Sequence, residues 1–369
     1  MRVKLKDITK FSKGTQINGK NLIDDGAYSY LNGGINPSGK WNEFNVAENT
    51  VTISEGGNSS GYVNYMNKAF WCGAHCYYLY DGPKNSKYLY YALKSQQERL
   101  FRIRSGACMP NIKKSDLGNF VIEYEKDEIR QEEVVKVLEK CELLIEDYNK
   151  KLALLDEAVR ARFVEMFGDE NNSKGWEIVN IEDVVNVQVG VVIKPSQYYT
   201  NQYNGIKAFR SLNIGNGYIK DDDWVYFSKE GNKKNKKSIL STNDVLVVRS
   251  GAPGTACVVT SEYAGSNAID VIIAHPDFQK VDSHYLCTYT NMPHGKSQII
   301  EGTGGAAQQH FNVGKYNKLK LMLPPLEYQK QYVKFLEEID KSRLLNICLK
   351  SLVESVLKIR IFSEYKKSS

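Results

Sequence analysis

The amino-acid sequence predicts an α+β fold that is built twice: a strand-rich domain and a long helix are followed by a second domain and a second long helix. Two observations lead to this prediction. Two long stretches have an uninterrupted helical pattern, and the segments that precede them match each other. A chain of 369 residues with 42% hydrophobic side chains has enough apolar surface for two or three domains.

The strand-rich segments carry the internal repeat at both of their ends. The stretch "LKDITKFSKGTQI" (residues 5–17) overlays "IEDVVNVQVGVVI" (residues 181–193), and "GACMPNIKKSDL" from Gly106 overlays "GAAQQHFNVGKY" from Gly305. The alignment pairs the following residues: Asp7 with Asp183, Gly14 with Gly190, Ile17 with Ile193, and Ile112 with Phe311. The chain is therefore predicted to contain two copies of one unit.

A glycine-rich stretch inside the first copy admits three interpretations: a serine nucleophile, a loop that cradles a phosphate, and a tight turn between two strands. "ISEGGNSSGYV" (Ile53–Val63) fits the G-x-S-x-G pattern of a serine nucleophile at Ser59, but that pattern needs a helix directly after the serine. Here "YVNYM" alternates like a strand, and in the second copy, where Gly251 aligns with Gly56, Gly254 stands opposite the serine. We expect a hairpin-like turn, with a serine hydrolase as the alternative.

The first helical stretch is predicted over residues 128–168. It contains neither Gly nor Pro before Gly168, and its apolar residues recur in alternating steps of four and three, which is typical of a coiled-coil seam. The seam consists of Val134, Leu138, Cys141, Ile145, Tyr148, Leu152, Leu155 and Val159. Such a seam needs a partner, and the second long helix is the only comparable one in the chain.

The second helical stretch is predicted over residues 327–369, after Pro324 and Pro325. Its apolar residues form one seam at Tyr328, Tyr332, Phe335 and Ile339, and a second seam out of phase with the first at Leu345, Leu349, Leu352 and Val356. The change of phase near Ser342 predicts a stutter, or a helix buried on more than one side. The helices leave residues 1–127 and 169–326 as the two domains.

Several classes of protein find no support in the sequence. No apolar run is long enough to span a bilayer, and the basic start "MRVKLKDITKFSKG" is not a signal peptide. The seven scattered cysteines are typical of free thiols in a reducing cytoplasm. Phosphate-binding and dinucleotide-binding motifs are absent, and Cys72, His75 and Cys76 lack the second cysteine pair of a zinc site. We therefore expect a non-catalytic, cytoplasmic chain without metal or cofactor.

Clusters of basic residues beside Asn, Gln, Tyr and Gly favour a DNA surface, because Lys and Arg neutralise phosphates and amide side chains read base edges. The residues predicted to contact phosphates are Arg104, Lys113, Lys114, Lys233, Lys234, Lys236, Lys237 and Arg249. Those predicted to contact bases or a groove are Asn32, Asn36, Ser38, Trp41, Arg210, Asn213, Gln308 and Gln309. The alternatives are a solvated lysine-rich turn at residues 233–237 and a plain turn at Tyr28–Trp41.

The two-copy layout, the run "GGINPSGKW…ISEGGNSSGYV…FWCGAHCYYL" and the stretch "LPPLEYQKQYVKFLEEID" resemble the specificity (S) subunit of type I restriction–modification enzymes. The resemblance covers essentially the whole chain. It implies two pseudo-twofold-related α/β target recognition domains, each followed by a conserved-region helix, with the two helices packed as an antiparallel coiled coil. The first helix departs from the pattern, because "EYEKDEIRQ" stands where the second copy has "LMLPPLEYQ".

The resemblance also implies a function. Each domain would read one half of a bipartite, asymmetric site in double-stranded DNA, and the helices would hold two methyltransferase (M) subunits. The chain would be non-catalytic and free of cofactors, whereas the M subunits would use S-adenosylmethionine to methylate adenine and the restriction (R) subunits would use ATP and Mg. The alternative is a coiled-coil adaptor for proteins, whose binding would be indifferent to salt and to DNA.

Overall fold

A computed structural model of the chain describes residues 1–106, 108–303 and 311–363. The chain divides into two compact units, one of which is Lys151–Leu345; the other is Met1–Lys150 together with the described residues from Asn346 onward. Each unit contains one strand-rich domain and a part of each long helix. The architecture is therefore α+β and built twice, as the sequence predicts.

The first domain and the helix that follows it contain these elements. The strands are β1 (Arg2–Lys4), β2 (Lys10–Lys13), β3 (Tyr28–Leu31), β4 (Gly39–Trp41), β5 (Thr50–Ser54), β6 (Val63–Met66), β7 (Phe70–Cys72), β8 (Cys76–Tyr80) and β9 (Val121–Glu123). The helices are α1 (Ser86–Lys94), α2 (Gln97–Arg102), α3 (Lys114–Asn119) and the long α4 (Glu128–Phe167).

The second domain and its helix repeat this order. The strands are β10 (Ile178–Asn180), β11 (Val185–Val189), β12 (Tyr199–Thr200), β13 (Gly205–Phe209), β14 (Val225–Ser228), β15 (Val245–Val248), β16 (Ala256–Val258), β17 (Asn267–Ala268), β18 (Val271–Pro276) and β19 (Lys320–Met322). The helices are α5 (Lys229–Lys234), α6 (Ser283–Asn291), α7 (Pro293–Thr303), α8 (Val313–Asn317) and the long α9 (Leu326–Ser363).

The sheets of the two domains have the same topology. In the first domain the orders are β2-β8-β5-β6, β4-β3-β7 and β1-β9; in the second they are β11-β18-β15-β16, β12-β14-β13-β17 and β10-β19. The one parallel pairing within each domain also recurs, β3 with β7 and β13 with β17, and among the described strands only β12 lacks a counterpart. The internal repeat inferred from the sequence is therefore confirmed at the level of strand order.

Gly14 and Gly190 show the repeat at the level of single residues. A Cβ on Gly14 would lie 1.8 Å from the carbonyl oxygen of Cys72, and a Cβ on Gly190 would lie 2.4 Å from that of Ala268. Cys72 ends β7 and Ala268 ends β17, so each glycine meets the same point of its own domain. Both positions need glycine because the backbones approach too closely for any side chain.

The glycine-rich stretch forms the turn of the β5–β6 hairpin, and a strand rather than a helix follows Ser59. This is the predicted turn, and it lacks the geometry of a nucleophile elbow. The sequence alignment of the two turns is shifted, however: by backbone conformation Gly57 (φ +77°) corresponds to Gly251 (φ +83°), and Gly61 (φ +84°) to Gly254 (φ +81°). The shift arises because the first turn is longer than the second.

Each core lies between the four-stranded antiparallel sheet and the short helices of its domain. In the first domain, Val51 and Ile53 point to one face of β5 and pack with Leu89 and Leu93 of α1. In the second domain the corresponding strand, β15, is buried along its whole length, because a second apolar cluster covers the other face of the sheet. The short helices therefore seal one face of each sheet and leave the loops at the surface.

Helix α4 begins at Glu128, as predicted, and Gly168 with a φ of +90° ends it. All eight predicted seam residues of this helix are buried or half-buried. Val134 packs against the core of the first domain, and Tyr91 of α1 donates a hydrogen bond of 2.7 Å to Glu142. In the first unit, the start of α4 is thus held by its own domain.

Within the second unit, the end of α4 and the start of α9 run antiparallel. The Tyr332 hydroxyl donates to the Val159 carbonyl oxygen at 3.3 Å, and Arg343, further along α9, pairs with Asp156 at 2.7 Å. Phe163 completes this contact, with its ring centroid 5.4 Å from that of Tyr332. The two long helices therefore contact each other directly in this unit.

The second half of α9 corrects the sequence analysis. The side chains assigned to its seam are exposed, with these exposed fractions: Leu345 59%, Leu349 36%, Leu352 62% and Val356 39%. The half-buried face instead continues from Ile339 in steps of four and three, through Arg343, Asn346, Lys350, Val353 and Leu357. The predicted stutter is wrong, because the helix is regular and the leucines lie one position, or about 100°, away from the covered face.

Candidate nucleic-acid interface

The loop between β3 and β4 presents polar side chains at the surface of the first domain. The Ser38 N–H donates to the Tyr30 carbonyl oxygen at 2.8 Å, and Asn64 Nδ2 donates to the Ile35 carbonyl oxygen at 3.1 Å. These bonds attach the loop to the strands beside it. Asn36 and Ser38 are therefore exposed on a backbone that hydrogen bonds fix in place. A fixed backbone with exposed polar side chains suits contact with a base edge.

Asn32 and Trp41 are predicted to contact DNA in the same interface, but both side chains also make contacts within the domain. The Asn32 Oδ1 atom accepts the His75 N–H at 3.3 Å, and a Cβ on Gly73 would lie 2.1 Å from that oxygen. Asn32 thus positions the turn before β8. Trp41 is half-buried, and its ring centroid is 6.4 Å from that of Trp71.

The predicted phosphate contacts of the first domain differ in how they are held. The guanidinium of Arg104 lies over the Phe101 ring, and its Nη1 donates to the Asn58 carbonyl oxygen at 3.3 Å, so it ties α2 to the glycine-rich turn. Lys113 and Lys114, at the start of α3, are exposed. The phosphate contacts of the two lysines stay a prediction, whereas Arg104 has a structural role as well.

The lysine cluster of the second domain is a pair of short helices rather than one loop. Lys233 and Lys234 end α5, and Lys236 and Lys237 lie in the 3₁₀ turn that follows. All four side chains are exposed, and within the described part of the chain none of them forms an ion pair. The cluster is therefore the unneutralised positive surface of this domain.

A buried amide network supports the lysine cluster, and sequence analysis does not reveal it. Asn232 Nδ2 donates to the Gly265 carbonyl oxygen at 3.0 Å and to Asn267 Oδ1 at 2.8 Å, and Asn267 Nδ2 donates to Ser238 Oγ at 2.9 Å. Asn267 is fully buried. Because Asn232 and Ser238 flank the four lysines, the network fixes the backbone that carries them.

Acidic residues neutralise other cations of the second domain. Lys207 forms a hydrogen-bonded ion pair of 2.7 Å with Asp221, and this hydrogen bond holds the pKa of the Asp221 carboxyl below its usual value. Arg210 pairs with Asp223 at 3.2 Å. Arg210 is therefore paired within the domain, and its predicted contact with a base requires that this pair open.

Asn213 was predicted to contact DNA, and the structure corrects this. Its side chain is fully buried: Oδ1 accepts the Arg210 N–H at 3.0 Å, and Nδ2 donates to the Asp222 carbonyl oxygen at 2.8 Å. The amide closes the 3₁₀ turn at Ser211–Asn213. Asn213 thus shapes the loop from inside and has no donor or acceptor at the surface.

The predicted phosphate contact of Arg249 is also wrong. Its side chain is only 14% exposed; Nη1 lies 2.5 Å from Asp270 Oδ1, and Nε donates to the Phe311 carbonyl oxygen at 3.0 Å. Both bonds are internal to the second domain. A guanidinium with these partners holds the end of β15, and so little of it is exposed that it has no open face for a phosphate.

The two domains carry opposite charges at the position of Arg249. Arg249 directly follows β15, and Glu55 directly follows β5, the corresponding strand. Arg249 faces Asp270, and Glu55 faces His75 at 3.3 Å; Asp270 and His75 directly precede the corresponding strands β18 and β8. The residue that follows the strand is thus largely buried and paired in both copies, but with the opposite sign of charge.

Three other points concern the predicted glutamines, a possible metal site and membrane-spanning helices. Gln308 and Gln309 lie outside the described residues. Cys72 and Cys76 are buried while His75 is exposed, and among the residues that the structure describes no three His, Cys, Asp or Glu side chains are grouped to hold a metal ion. None of the helices in that part of the chain is long and apolar enough to cross a membrane.

Comparison with known proteins gives one family. The chain matches the type I restriction modification DNA specificity domain over residues 1–156 and 173–354. A type I specificity subunit of Mycoplasma pneumoniae is 38% identical over 149 residues, which is 40% of this chain and 40% of that protein. A counterpart in Mycoplasma genitalium is 35% identical over 163 residues, 40% of this chain and 42% of the relative. The matched segments thus span about two fifths of these relatives.

Two solved structures share the fold over nearly the whole chain. The S subunit of a type I restriction–modification system from M. genitalium aligns with a TM-score of 0.64 at 18% identity, covering 98% of this chain and 94% of that one. A chain from a structure of complex assembly in the type I system aligns with a TM-score of 0.54 at 14% identity, covering 98% and 96%. At these identities the likeness shows the fold alone.

Proposed function

Because this chain belongs to the type I restriction–modification DNA specificity family, we propose that it recognises a DNA sequence and has no catalytic activity of its own. Each domain reads one half of a bipartite site in double-stranded DNA. The observation that carries the proposal is the presence of two domains with one strand order, each presenting polar or basic loops. A serine hydrolase is not favoured, because the Ser59 turn leads into a strand.

The differences between the two domains support an asymmetric site. The lysine cluster at residues 233–237 has no equivalent run in the first domain. Two readers with different surfaces select different base sequences. The half-sites are therefore expected to differ from each other.

The long helices are the proposed docking surface for two methyltransferase subunits. Exposed apolar side chains lie on both helices, outside the covered face of each: Leu143 and Leu144 on α4, and Ile347, Leu349, Leu352 and Val356 on α9. Apolar residues in such a row on a helix surface fit a groove or helix of a partner protein. The methyltransferase supplies S-adenosylmethionine and methylates adenine, and restriction subunits with ATP and Mg complete a cytoplasmic nuclease.

The salt dependence of DNA binding tests the proposal. The purified chain, alone and with methyltransferase subunits, is titrated with duplex DNA that contains the site found by mapping methylated adenines in cells. We expect the logarithm of affinity to fall by about 0.9 per phosphate contact for each logarithmic unit of salt. An adaptor that binds only proteins would show no such dependence.

A variant pair assigns part of this dependence to the lysine cluster. Replacing Lys233 and Lys234 by Gln removes two contacts, so the salt slope is expected to fall by about 2. The matched control replaces Lys136 and Lys140, two exposed lysines of α4, by Gln. Equal slopes in both variants, or DNA binding insensitive to salt, would contradict the proposed interface.

A further inference from the structure

A groove of about 790 Å³ runs along β1 in the first domain, and nothing in the proposed DNA reading uses it. Its basic lining residues are Arg2, Lys4, Lys6 and Lys126. All four side chains are exposed, and in the described ranges none of them takes part in an ion pair. Val3, Ile8 and Val121 add apolar surface to the same groove. One carboxylate, that of Asp7, also lines the groove, which thus combines an excess of positive charge with an apolar lining.

The backbone of β1 has a free hydrogen-bonding edge. The Tyr124 N–H donates to the Met1 carbonyl oxygen at 2.7 Å, and the Leu5 N–H donates to the Phe120 carbonyl oxygen at 2.9 Å, so the odd-numbered residues bond to β9. In an antiparallel pair, the alternate residues point their backbone groups the other way. Arg2 therefore directs its N–H and C=O outward, and Lys4 directs its N–H outward while its C=O begins the 3₁₀ turn that follows; no described strand pairs with that side of β1.

In the second domain one group of the equivalent edge is capped. Asn180 occupies the position of Lys4, and its N–H donates to Asp183 Oδ2 at 2.8 Å. Asp7 is the counterpart of Asp183, yet no side chain caps the 3₁₀ turn that follows Lys4. The charge is also different, because Glu182 replaces Lys6 in the second copy. An open, basic edge is thus a property of the first domain.

We propose that β1 is a docking edge for an extended acidic segment of a partner protein, which adds to β1 as a third strand. The backbone groups of Arg2 and Lys4 supply the strand pairing, and the four basic side chains select negative charge. A phosphodiester strand would use the cations but neither the alternating N–H and C=O groups nor the apolar lining. Lysines repel an edge strand of another copy of this chain, so pairing with an acidic strand is favoured over self-association.

The test uses the full-length chain without an N-terminal tag and a fluorescent decapeptide of alternating Glu and Val. A decapeptide of alternating Lys and Val is the charge control, and a Glu-Val peptide N-methylated at every second residue is the pairing control. Fluorescence anisotropy measures the affinities, and hydrogen exchange measures protection of the Arg2 and Lys4 amides. We expect the Glu-Val peptide to bind, to protect both amides, and to bind more weakly as salt is added.

Two substitutions at one position separate charge from backbone pairing. Lys4→Gln removes the charge alone, and Lys4→Pro also removes the N–H; the φ of −81° at Lys4 is compatible with proline. We expect Lys4→Pro to bind the Glu-Val peptide about fivefold more weakly than Lys4→Gln, which corresponds to the loss of one hydrogen bond. If Lys4→Pro does not fold, the N-methylated peptide still tests the pairing on the unchanged protein.

Several results would overturn the proposal. One is that the Glu-Val peptide fails to bind, or binds no better than the Lys-Val peptide. Another is that the N-methylated peptide binds as tightly as the unmodified one, which would exclude strand pairing. A third is a pair of results. Duplex DNA would displace the peptide, and replacing Arg2, Lys4, Lys6 and Lys126 by Gln would weaken DNA binding by the same factor as peptide binding. The groove would then be a nucleic-acid surface. The proposal does not depend on the proposed DNA reading, because peptide binding is measured without DNA.

Discussion

Arg249 and Lys233 are both basic residues of the second domain, but their side chains lie in different surroundings. Arg249 is held by Asp270 and the Phe311 carbonyl oxygen, whereas Lys233 is exposed and without an ion pair in the described chain. Sequence analysis assigned both to phosphate contacts, because residue type and local clustering do not show which tertiary partner neutralises a charge. Asn213 was misassigned for the same reason, since its hydrogen bonds close a turn that only the fold reveals.

Replacing Arg249 by Ala is expected to lower the free energy of unfolding by about 1–3 kcal/mol, because it leaves a carboxylate and a carbonyl oxygen without their partner. Lys233→Ala is the matched control and is expected to stay within about 0.5 kcal/mol of the parent chain. Thermal or denaturant unfolding of the two variants measures the difference. Equal stability of both variants would mean that the Arg249 ion pair contributes nothing to the domain.

At the scale of elements, the starts of the long helices were predictable and the exposed face of α9 was not. The starts of α4 and α9 follow from the onset of the apolar period and from the proline pair, and both agree with the structure to within one residue. The sequence predicts the wrong covered face for α9, because leucines usually mark the buried side of a helix. On α9 the covered side passes through Arg343, Asn346 and Lys350, and the leucines lie outside it.

Leu138 and Leu143 of α4 form a matched pair of substitutions. Leu138 is buried, so Leu138→Asp places an unpaired carboxylate in an apolar site and is expected to lower the free energy of unfolding by more than about 3 kcal/mol. Leu143 is 62% exposed, so Leu143→Asp is expected to leave folding almost unchanged. Circular dichroism melting distinguishes the two, and a similar loss of stability in both would contradict the orientation of α4.

The exposed leucines of α9 test the docking of the methyltransferase. Leu352→Asp is expected to leave the thermal unfolding of the isolated chain unchanged, because this side chain is 62% exposed. It should nevertheless weaken co-purification with methyltransferase subunits by at least tenfold, since a charge would be buried on binding. Ser351→Asp, at an exposed neighbouring position, is the control. Unchanged co-purification of the Leu352 variant would place the docking surface elsewhere.

At the scale of the whole molecule, the two-copy organisation could be read from the sequence, because a repeat leaves matched residues at fixed offsets. Gly14 and Gly190 mark a position where the backbone needs one residue type, and this position persists in both copies. The reading surfaces could not be predicted as well. Their loops differ between the copies in length and charge, as the exposed lysines at residues 233–237 show, so neither copy indicates which side chains of the other face outward.

The exchange of one domain tests the central claim most directly. Residues 1–127 are replaced by the corresponding domain of another type I specificity subunit, and methylated adenines are mapped by sequencing in cells that also carry the methyltransferase. One half of the methylated site should change to that of the donor. The other half should stay the same, and so should the spacing of about one DNA turn, because residues 169–326 and both long helices are retained. A change in both halves, or loss of the retained half while the complex still assembles, would contradict the claim that each domain reads its own half-site.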